Sequence, residues 1–224
     1  MTVQHQHTKL LNAAAREVLR PLGVVQKGRS RTWLDDHGWW LGVIEFQPSS
    51  WSRGSYLNVG VNWLWDPKDY LSFDFGHRVD IPGEGQYIEY ENEEQFSPLA
   101  RKLAMVAAEQ VRHYRDVFPT LEAAAANLRQ TEPDDVLRAL DAGIALGLAG
   151  HGTAARSMFS RYVGWFESDE ESEWRTEVDE VRYHRAQQLS DLVADRRGFS
   201  YQIRADVRRA RAQLKLDPDV ELPF

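Results

Sequence analysis

The sequence predicts an α+β fold: a twisted antiparallel sheet of about five or six strands, backed by helices and followed by a C-terminal helical bundle. Two observations support this. Six of the eight Trp residues lie between positions 33 and 65, where apolar and polar residues alternate as they do in strands. After about residue 97, apolar residues recur at helical spacing. We therefore predict a sheet domain over residues 1–128 and a helical extension packed on it over residues 129–224.

The first predicted element is a helix from Thr8 to Arg20, because apolar residues such as Leu11 and Val18 recur at helical spacing. Thr8 is the predicted N-cap, and Pro21 ends the helix. Turn sequences then separate six candidate strands. These are Val24–Gln26, Thr32–Leu34, Trp39–Gln47, Tyr56–Trp65, Leu71–Phe75 and Gln86–Glu91.

The second half of the chain is predicted to be helical. Ser97 and Pro98 have the residue types of an N-cap and a first helical position, and the helix they open is expected to reach Phe118. The further predicted helices are Thr120–Leu128, one opening at Thr131, Thr153–Phe166, Glu173–Asp195 and Phe199–Leu216.

The two strongest predicted strands each have one apolar face. The even positions of 39–47 and the odd positions of 56–65 are almost wholly apolar, Ile44 and Val59 among them. Because successive strand residues point to opposite faces, we expect this apolar face to lie beneath helices. The side chains of Leu71, Phe73 and Phe75 are expected to join it.

The opposite, mixed face combines aromatic, aliphatic and hydrogen-bonding side chains. Such a surface is typical of a site for a small ligand or a protein. It is also what an antiparallel sheet presents to water when it binds nothing. The candidate binding residues, including those of the 48–55 loop, are Trp39, Glu45, Gln47, Trp51, Arg53, Tyr56, Asn58, Asn62 and Asp74.

Composition excludes several classes of function. With no Cys there is no disulfide and no thiolate metal site, and no nucleotide-binding glycine motif or zinc-protease motif occurs, so no cofactor is predicted. The net charge of −7 makes a general nucleic-acid binder unlikely on electrostatic grounds. No apolar run approaches the roughly 20 residues of a membrane span, and no secretory signal is visible. We expect a cytoplasmic protein with no membrane partner.

Charged residues form separate clusters. Acidic residues are concentrated in Asp80–Glu94 and Glu167–Glu173. Basic residues occur in Lys27–Arg31 and as a stripe, from Arg204 to Lys215, opposite the apolar face of the last helix. The simplest interpretation of all four clusters is that their side chains lie on the surface and are solvated. The basic stripe can also pair with the acidic segments, within the chain or across a homodimer, and the acidic segments can attract a basic protein.

An enzymatic alternative rests on carboxylates. Glu45 lies among apolar neighbours, which would raise its pKa and suit it to general acid or base chemistry. If their strands are adjacent, Asp74 or Glu89 would lie near Glu45, and such a group could hold a divalent metal.

Three segments of the first half carry short motifs: Leu22–Trp33, Val43–Ser52 and Tyr56–Val61. Together and in this order, they resemble the bacterial family catalogued as domain of unknown function 4304, over about residues 8–120. Either Val24 or Val25 stands where the family has Phe, and Pro48 stands where the family more usually has Lys or Arg. The resemblance implies an α+β domain and no catalytic residues. It marks as motif positions Gln47, Ser50, Trp51 and Asn58.

Together these observations predict a binding or interaction module that uses the mixed face and the 48–55 loop. A specific form of this hypothesis is an acidic protein that neutralises a basic toxin, suggested by the Asp80–Glu94 segment.

Overall fold

The computed structural model describes residues 4–130, 136–168 and 176–224 and confirms the α+β fold. The chain divides into two compact units. The sheet unit comprises Met1–Leu64 and Lys68–Asp116, and the helical unit comprises Trp65–Pro67 and Val117–Phe224. The division falls at Asp116, earlier than the boundary expected from the sequence, because the helix after Thr120 packs on the helix that follows it.

The sheet unit contains six antiparallel strands in the order β1-β2-β3-β4-β5, with β6 also paired to β4. The strands are β1 Val25–Gln26, β2 Thr32–Asp36, β3 Trp40–Pro48, β4 Gly54–Trp63, β5 Phe75–Arg78 and β6 Tyr87–Glu89. The long β3–β4 hairpin forms the centre of the sheet, and β5 and β6 pair with different parts of β4.

The predicted apolar face is buried. Ile44 and Val59 are paired across β3 and β4, and both are almost fully inaccessible. The sheet unit also contains α1, Gln4–Leu19, and α2, Glu93–Val117. From α2, Tyr114 donates a hydrogen bond to the Val59 carbonyl at 3.3 Å. The face on which Ile44 and Val59 lie is therefore the one that packs on helices.

Two predicted helix starts in this unit were wrong. The first helix begins at Gln4, so Thr8 lies inside it. The next helix begins at Glu93 rather than after Ser97, because the Asn92 side chain accepts a hydrogen bond from Gln95 N at 2.9 Å and caps an earlier turn. Pro98 therefore lies inside α2.

The predicted strand Leu71–Phe75 is mostly irregular, and β5 begins only at Phe75. Asp74 N donates to the Val61 carbonyl, whereas Ser72 N donates to the Asn62 side chain instead of continuing the strand ladder. Phe73, which was expected to point inward, is 38% exposed.

The helical unit contains α3 Leu121–Arg129, α4 Leu137–Leu148, α5 Gly152–Glu167, α6 Glu177–Leu192 and α7 Arg196–Gln213. Thr120 is the N-cap of α3, since its side chain accepts from Ala123 N at 3.2 Å. Thr153 lies inside α5 rather than capping it. The predicted helix start at Thr131 and residues 169–173 of the acidic segment lie outside the described residues. None of the described helices has an apolar stretch long enough to cross a membrane.

Glycines allow the helices of this unit to approach closely. A side chain on Gly143 would overlap the ring of Phe159, and one on Gly147 would overlap the ring of Phe199. Both rings are fully buried. Trp65 belongs to the same core and donates from Nε1 to Asp141 at 2.8 Å.

The predicted basic stripe on α7 is incomplete. Arg211 is only 1% exposed, and its Nε donates to the Asp217 carbonyl. Arg208 and Lys215 remain exposed. The stripe fails because the chain after α7 folds back over Arg211, which helical spacing alone does not reveal.

Candidate functional site

One half of the mixed face is inaccessible, which corrects the prediction that Trp39 and Asn62 are contact residues. Trp39 is 4% exposed and Asn62 is 1% exposed. Trp39 stacks on Trp63 with ring centroids 5.8 Å apart. Asn62 accepts a hydrogen bond from Ser72 N at 3.1 Å and donates to the Trp63 carbonyl, also at 3.1 Å. These side chains support the sheet and the loop after it.

The Asp74 carboxylate closes the same loop. It accepts hydrogen bonds from Trp63 N at 2.8 Å, from Lys68 Nζ at 2.6 Å and from Ser72 Oγ at 2.9 Å. Lys68 also lies 3.0 Å from Ser72 Oγ. Asp74 therefore has a structural role in place of the predicted binding role.

The other half of the mixed face carries a half-buried polar network. Asn58 Nδ2 donates to Glu45 Oε2 and to Gln47 Oε1, each at 3.0 Å. From β5, Arg78 Nη2 donates to Gln47 Oε1 at 2.6 Å, and Arg78 Nε donates to Asn58 Oδ1 at 3.3 Å. The structure thus brings together three predicted residues, Glu45, Gln47 and Asn58, around Arg78, which is not among the candidate binding residues.

An aromatic row continues from this network towards the β3–β4 loop. The Arg78 guanidinium carbon lies 4.0 Å from the Tyr56 ring centroid. Tyr56 and Tyr87 are paired across β4 and β6, with ring centroids 5.0 Å apart. The hydroxyls of Tyr87 and Ser52 are 2.6 Å apart. Neither Arg78 nor Tyr87 is among the candidate binding residues of the sequence, because the face on which each lies follows only from the limits of β5 and β6.

The β3–β4 loop presents the most exposed aromatic side chain in the described part of the chain. Trp51 is 95% exposed. The loop is ordered beneath it: Ser49 Oγ accepts from Trp51 N at 3.1 Å and from Ser52 N at 3.3 Å. Arg53, also exposed, accepts a hydrogen bond at its carbonyl from Tyr90 N at 2.7 Å. Trp51 therefore projects from a fixed turn.

The three carboxylates of the enzymatic alternative do not converge. Glu45 is opposite Asn58 on β4, whereas Glu89 is opposite Gly54, four positions along the same strand and so about 13 Å away. Asp74 lies towards the other end of β4, at Trp63. No group of three His, Asp or Glu side chains suited to a metal ion occurs among the described residues.

A second charge lies close to Glu45. Burial lowers the pKa of Arg31 to about 10, and the Glu45 carboxylate counteracts part of this shift. Arg31 Nη1 lies 3.5 Å from His7 Nε2 of α1. Glu45 thus partly compensates a half-buried cation and accepts a hydrogen bond from Asn58, which leaves it poorly suited to act as a free base.

No family model, no curated protein and no solved structure matches this chain. The resemblance of residues 8–120 to domain of unknown function 4304 therefore stays a prediction from its motifs.

Proposed function

We propose that the sheet unit is a binding module that recognises a partner protein through its exposed loop and the adjoining half of the mixed face. We call this the hairpin surface; it consists of Gln47, Trp51, Arg53, Tyr56, Asn58, Arg78 and Tyr87. The observation that carries the proposal is the exposure of Trp51, at 95% of its surface.

An exposed tryptophan on an ordered turn favours association. Burying a large apolar side chain contributes about 1.5–3 kcal/mol, and Trp, Tyr and Arg dominate the energetic centres of protein interfaces. The turn hydrogen bonds of Ser49 and the contact of Ser52 with Tyr87 fix the loop in advance. Little conformational entropy is then lost on binding.

The projection of Trp51 favours a protein over a small ligand, because a side chain that stands out from a turn fits a partner's pocket. Arg78 offers a second contact: its Nε and Nη2 atoms are held by Asn58 and Gln47, so the guanidinium is already oriented. Such a group suits a carboxylate or a carbonyl of the partner.

The charge around the hairpin surface favours a basic partner, of which a basic toxin is one kind. The exposed acidic side chains of the 80–94 segment, with Glu89 opposite Gly54 at the base of the loop, provide a negative field. Glu84 is partly neutralised by Lys102 at 2.8 Å. A cytoplasmic location and a homodimer remain predictions from the sequence.

The test is affinity capture from the source cells with the full chain and two variants. Trp51→Ala should lose a partner that the native chain retains. Tyr70→Ala, which removes another exposed aromatic side chain of the sheet unit, should keep it. Retention of every partner by Trp51→Ala contradicts the proposal.

A salt series tests the basic partner separately. Binding through the acidic segment should weaken as ionic strength rises, because surface charge is screened over about 8–10 Å. If a partner depends on Trp51 but binds equally at low and high salt, the proposal that the hairpin surface binds a protein still holds. The proposal that this protein is basic is then contradicted.

A further inference from the structure

Two adjoining clefts of the helical unit share Arg196. The first, of about 360 Å³, lies between the α4–α5 turn and the α6–α7 turn. The second, of about 560 Å³, lies along the start of α7 beside Phe224. Both volumes fall in the range of about 300–1,000 Å³ that small ligands occupy. We call the pair the arginine cleft.

Positive charge dominates this cleft. Arg156 and Arg196 line the first part, where the described lining residues include no carboxylate side chain. Arg196 also lines the second part, with Arg197 and Arg204, and Glu122 is the acidic side chain there. The two parts together are thus lined by four guanidinium groups and one carboxylate side chain, in a chain of net charge −7.

Two other arginines of the helical unit are neutralised by carboxylates. Arg182 pairs with Asp66 at 2.9 Å, and Arg185 pairs with Asp206 at 3.0 Å. In the described part of the chain, by contrast, no ion pair involves Arg156 or Arg196. Arg156 makes one hydrogen bond, from Nε to the Ser190 carbonyl at 3.4 Å, which does not compensate its charge.

The floor of the first part allows a ligand to approach the backbone. Gly150 has a positive φ of 87°, and a side chain there would touch the Arg196 guanidinium, at 3.4 Å from its carbon. Gly152 also lines this part without a side chain. An anion can therefore reach Arg156 and Arg196 without steric hindrance from these positions.

The second part adds flat surfaces. Tyr201 is 76% exposed, and the Arg204 guanidinium carbon lies 5.9 Å from the Phe224 ring centroid. Aromatic rings and guanidinium planes stack on planar rings of a ligand. Guanidinium forks bind phosphate through charge-assisted hydrogen bonds.

We propose that the arginine cleft binds a nucleotide as a small molecule, with the phosphate at Arg156 and Arg196 and the base against Tyr201. This site is independent of the hairpin surface, since it consists only of residues of the helical unit.

The test is isothermal titration calorimetry of the full chain at low salt. The probes are adenosine, guanosine, cytidine and uridine monophosphates, with adenosine and inorganic phosphate as fragments. At least one monophosphate should bind more tightly than inorganic phosphate, and adenosine should not bind measurably. Arg156→Ala and Arg196→Ala should each weaken binding by about tenfold or more.

The controls separate the cleft from general charge. Arg208→Ala removes an exposed arginine of α7 outside both clefts and should change affinity by less than about twofold. Arg196→Lys keeps the charge but loses the fork, and it should still weaken binding. Tyr201→Ala should weaken the nucleotide but leave inorganic phosphate unchanged.

Three results would overturn the proposal. One is the absence of binding by all four monophosphates. Another is an equal loss of affinity in Arg208→Ala and Arg196→Ala. The third is binding of single-stranded RNA without binding of any mononucleotide, which would identify the cleft as a nucleic-acid surface instead.

Discussion

Arg115 and Asp35 form a bidentate ion pair between α2 and β2. Nη2 of Arg115 donates to Asp35 Oδ1 at 2.6 Å, and its Nε donates to Oδ2 at 2.9 Å. His37 Nε2 lies 2.8 Å from the same Oδ2, and Arg115 also donates to the Leu22 carbonyl at 2.7 Å. The pair therefore joins the end of α2 to the sheet and to the segment after α1.

Asp35→Asn should lower the free energy of unfolding by about 3 kcal/mol, because Asp35 is buried and the change leaves Arg115 without its counter-charge. Urea denaturation at neutral pH measures this. Glu17→Gln removes one partner of a pair in which both side chains are 61% exposed, and it should cost less than about 1 kcal/mol. Equal losses in the two variants would contradict a dominant role for the buried pair.

The advantage of Asp35 over Asn should depend on pH. Burial acts to raise the pKa of Asp35, but hydrogen bonds from Arg115 and His37 outweigh it and hold the pKa below its ordinary value of 3.8. The unfolded chain then takes up the proton first as pH falls. The stabilisation is complete above about pH 4 and is lost as the pH falls through the folded-state pKa. We expect the free energies of unfolding of the native chain and of Asp35→Asn, measured from neutral to acid pH, to approach each other as the pH falls. A difference that stays constant with pH would contradict this dependence on the protonation of Asp35.

Tyr162→Phe should leave stability unchanged or raise it by up to about 1 kcal/mol. The Tyr162 hydroxyl is buried and has no hydrogen-bond partner in the described structure, so its removal relieves an unsatisfied polar atom. Tyr114→Phe is the matched control: it loses the hydrogen bond to Val59 and should cost about 1 kcal/mol. Thermal or urea unfolding of both variants measures the two effects. A larger loss of unfolding free energy in Tyr162→Phe than in Tyr114→Phe would show that the Tyr162 hydroxyl has a hydrogen-bond partner after all.

The stability of Tyr162→Phe should fall less at alkaline pH than that of the native chain. Burial raises the pKa of Tyr162 to about 12, from an ordinary value of 10.0. Between these values the unfolded tyrosine loses its proton while the folded one keeps it, so the native chain loses stability as pH rises. Unfolding measured at about pH 11 should favour Tyr162→Phe more than it does at pH 7. An unchanged difference would show that Tyr162 titrates normally.

Gly54→Ala should destabilise the β4–β6 pair beside the hairpin surface. A side chain on Gly54 would overlap the Ile88 carbonyl and the Tyr87 ring, and the backbone atom cannot move without breaking the pairing. A loss of about 2 kcal/mol is expected, as for an overpacked core position. Gly164→Ala, in α5 with open space around it, should instead stabilise by about 0.5–1 kcal/mol. Circular dichroism melts compare the two, and an unaffected Gly54→Ala would show that β6 is free to shift.

The sequence predicted features that depend on local alternation. Ile44 and Val59 lie on the buried face, and Gln47 and Asn58 are half-buried on the other, because each strand selects its own apolar side. Trp51 and Arg53 are exposed, as their polar loop indicated. These positions are set by neighbours in the chain or by the adjacent strand.

Features set by contacts with residues outside the strand or helix that carries the side chain were not predictable in this way. Asn62 is buried because the chain folds back so that Ser72 N donates a hydrogen bond to its side chain. Arg211 is buried because the chain after α7 folds back so that the Asp217 carbonyl accepts a hydrogen bond from it. Arg78 reached the polar network because β5 begins only at Phe75. The spacing of apolar residues within one strand or helix does not indicate contacts with residues outside that element.

The segment Trp65–Pro67 belongs to the helical unit but is synthesised long before the rest of that unit, which begins at Val117. On the ribosome, the indole of Trp65 emerges well ahead of Asp141, its eventual hydrogen-bond acceptor, which lies 76 positions later. Until then the indole N–H lacks this acceptor, and a fragment that stops before α4 would lack it permanently. The nascent protein therefore passes through a stage in which this link between Trp65 and α4 cannot yet form.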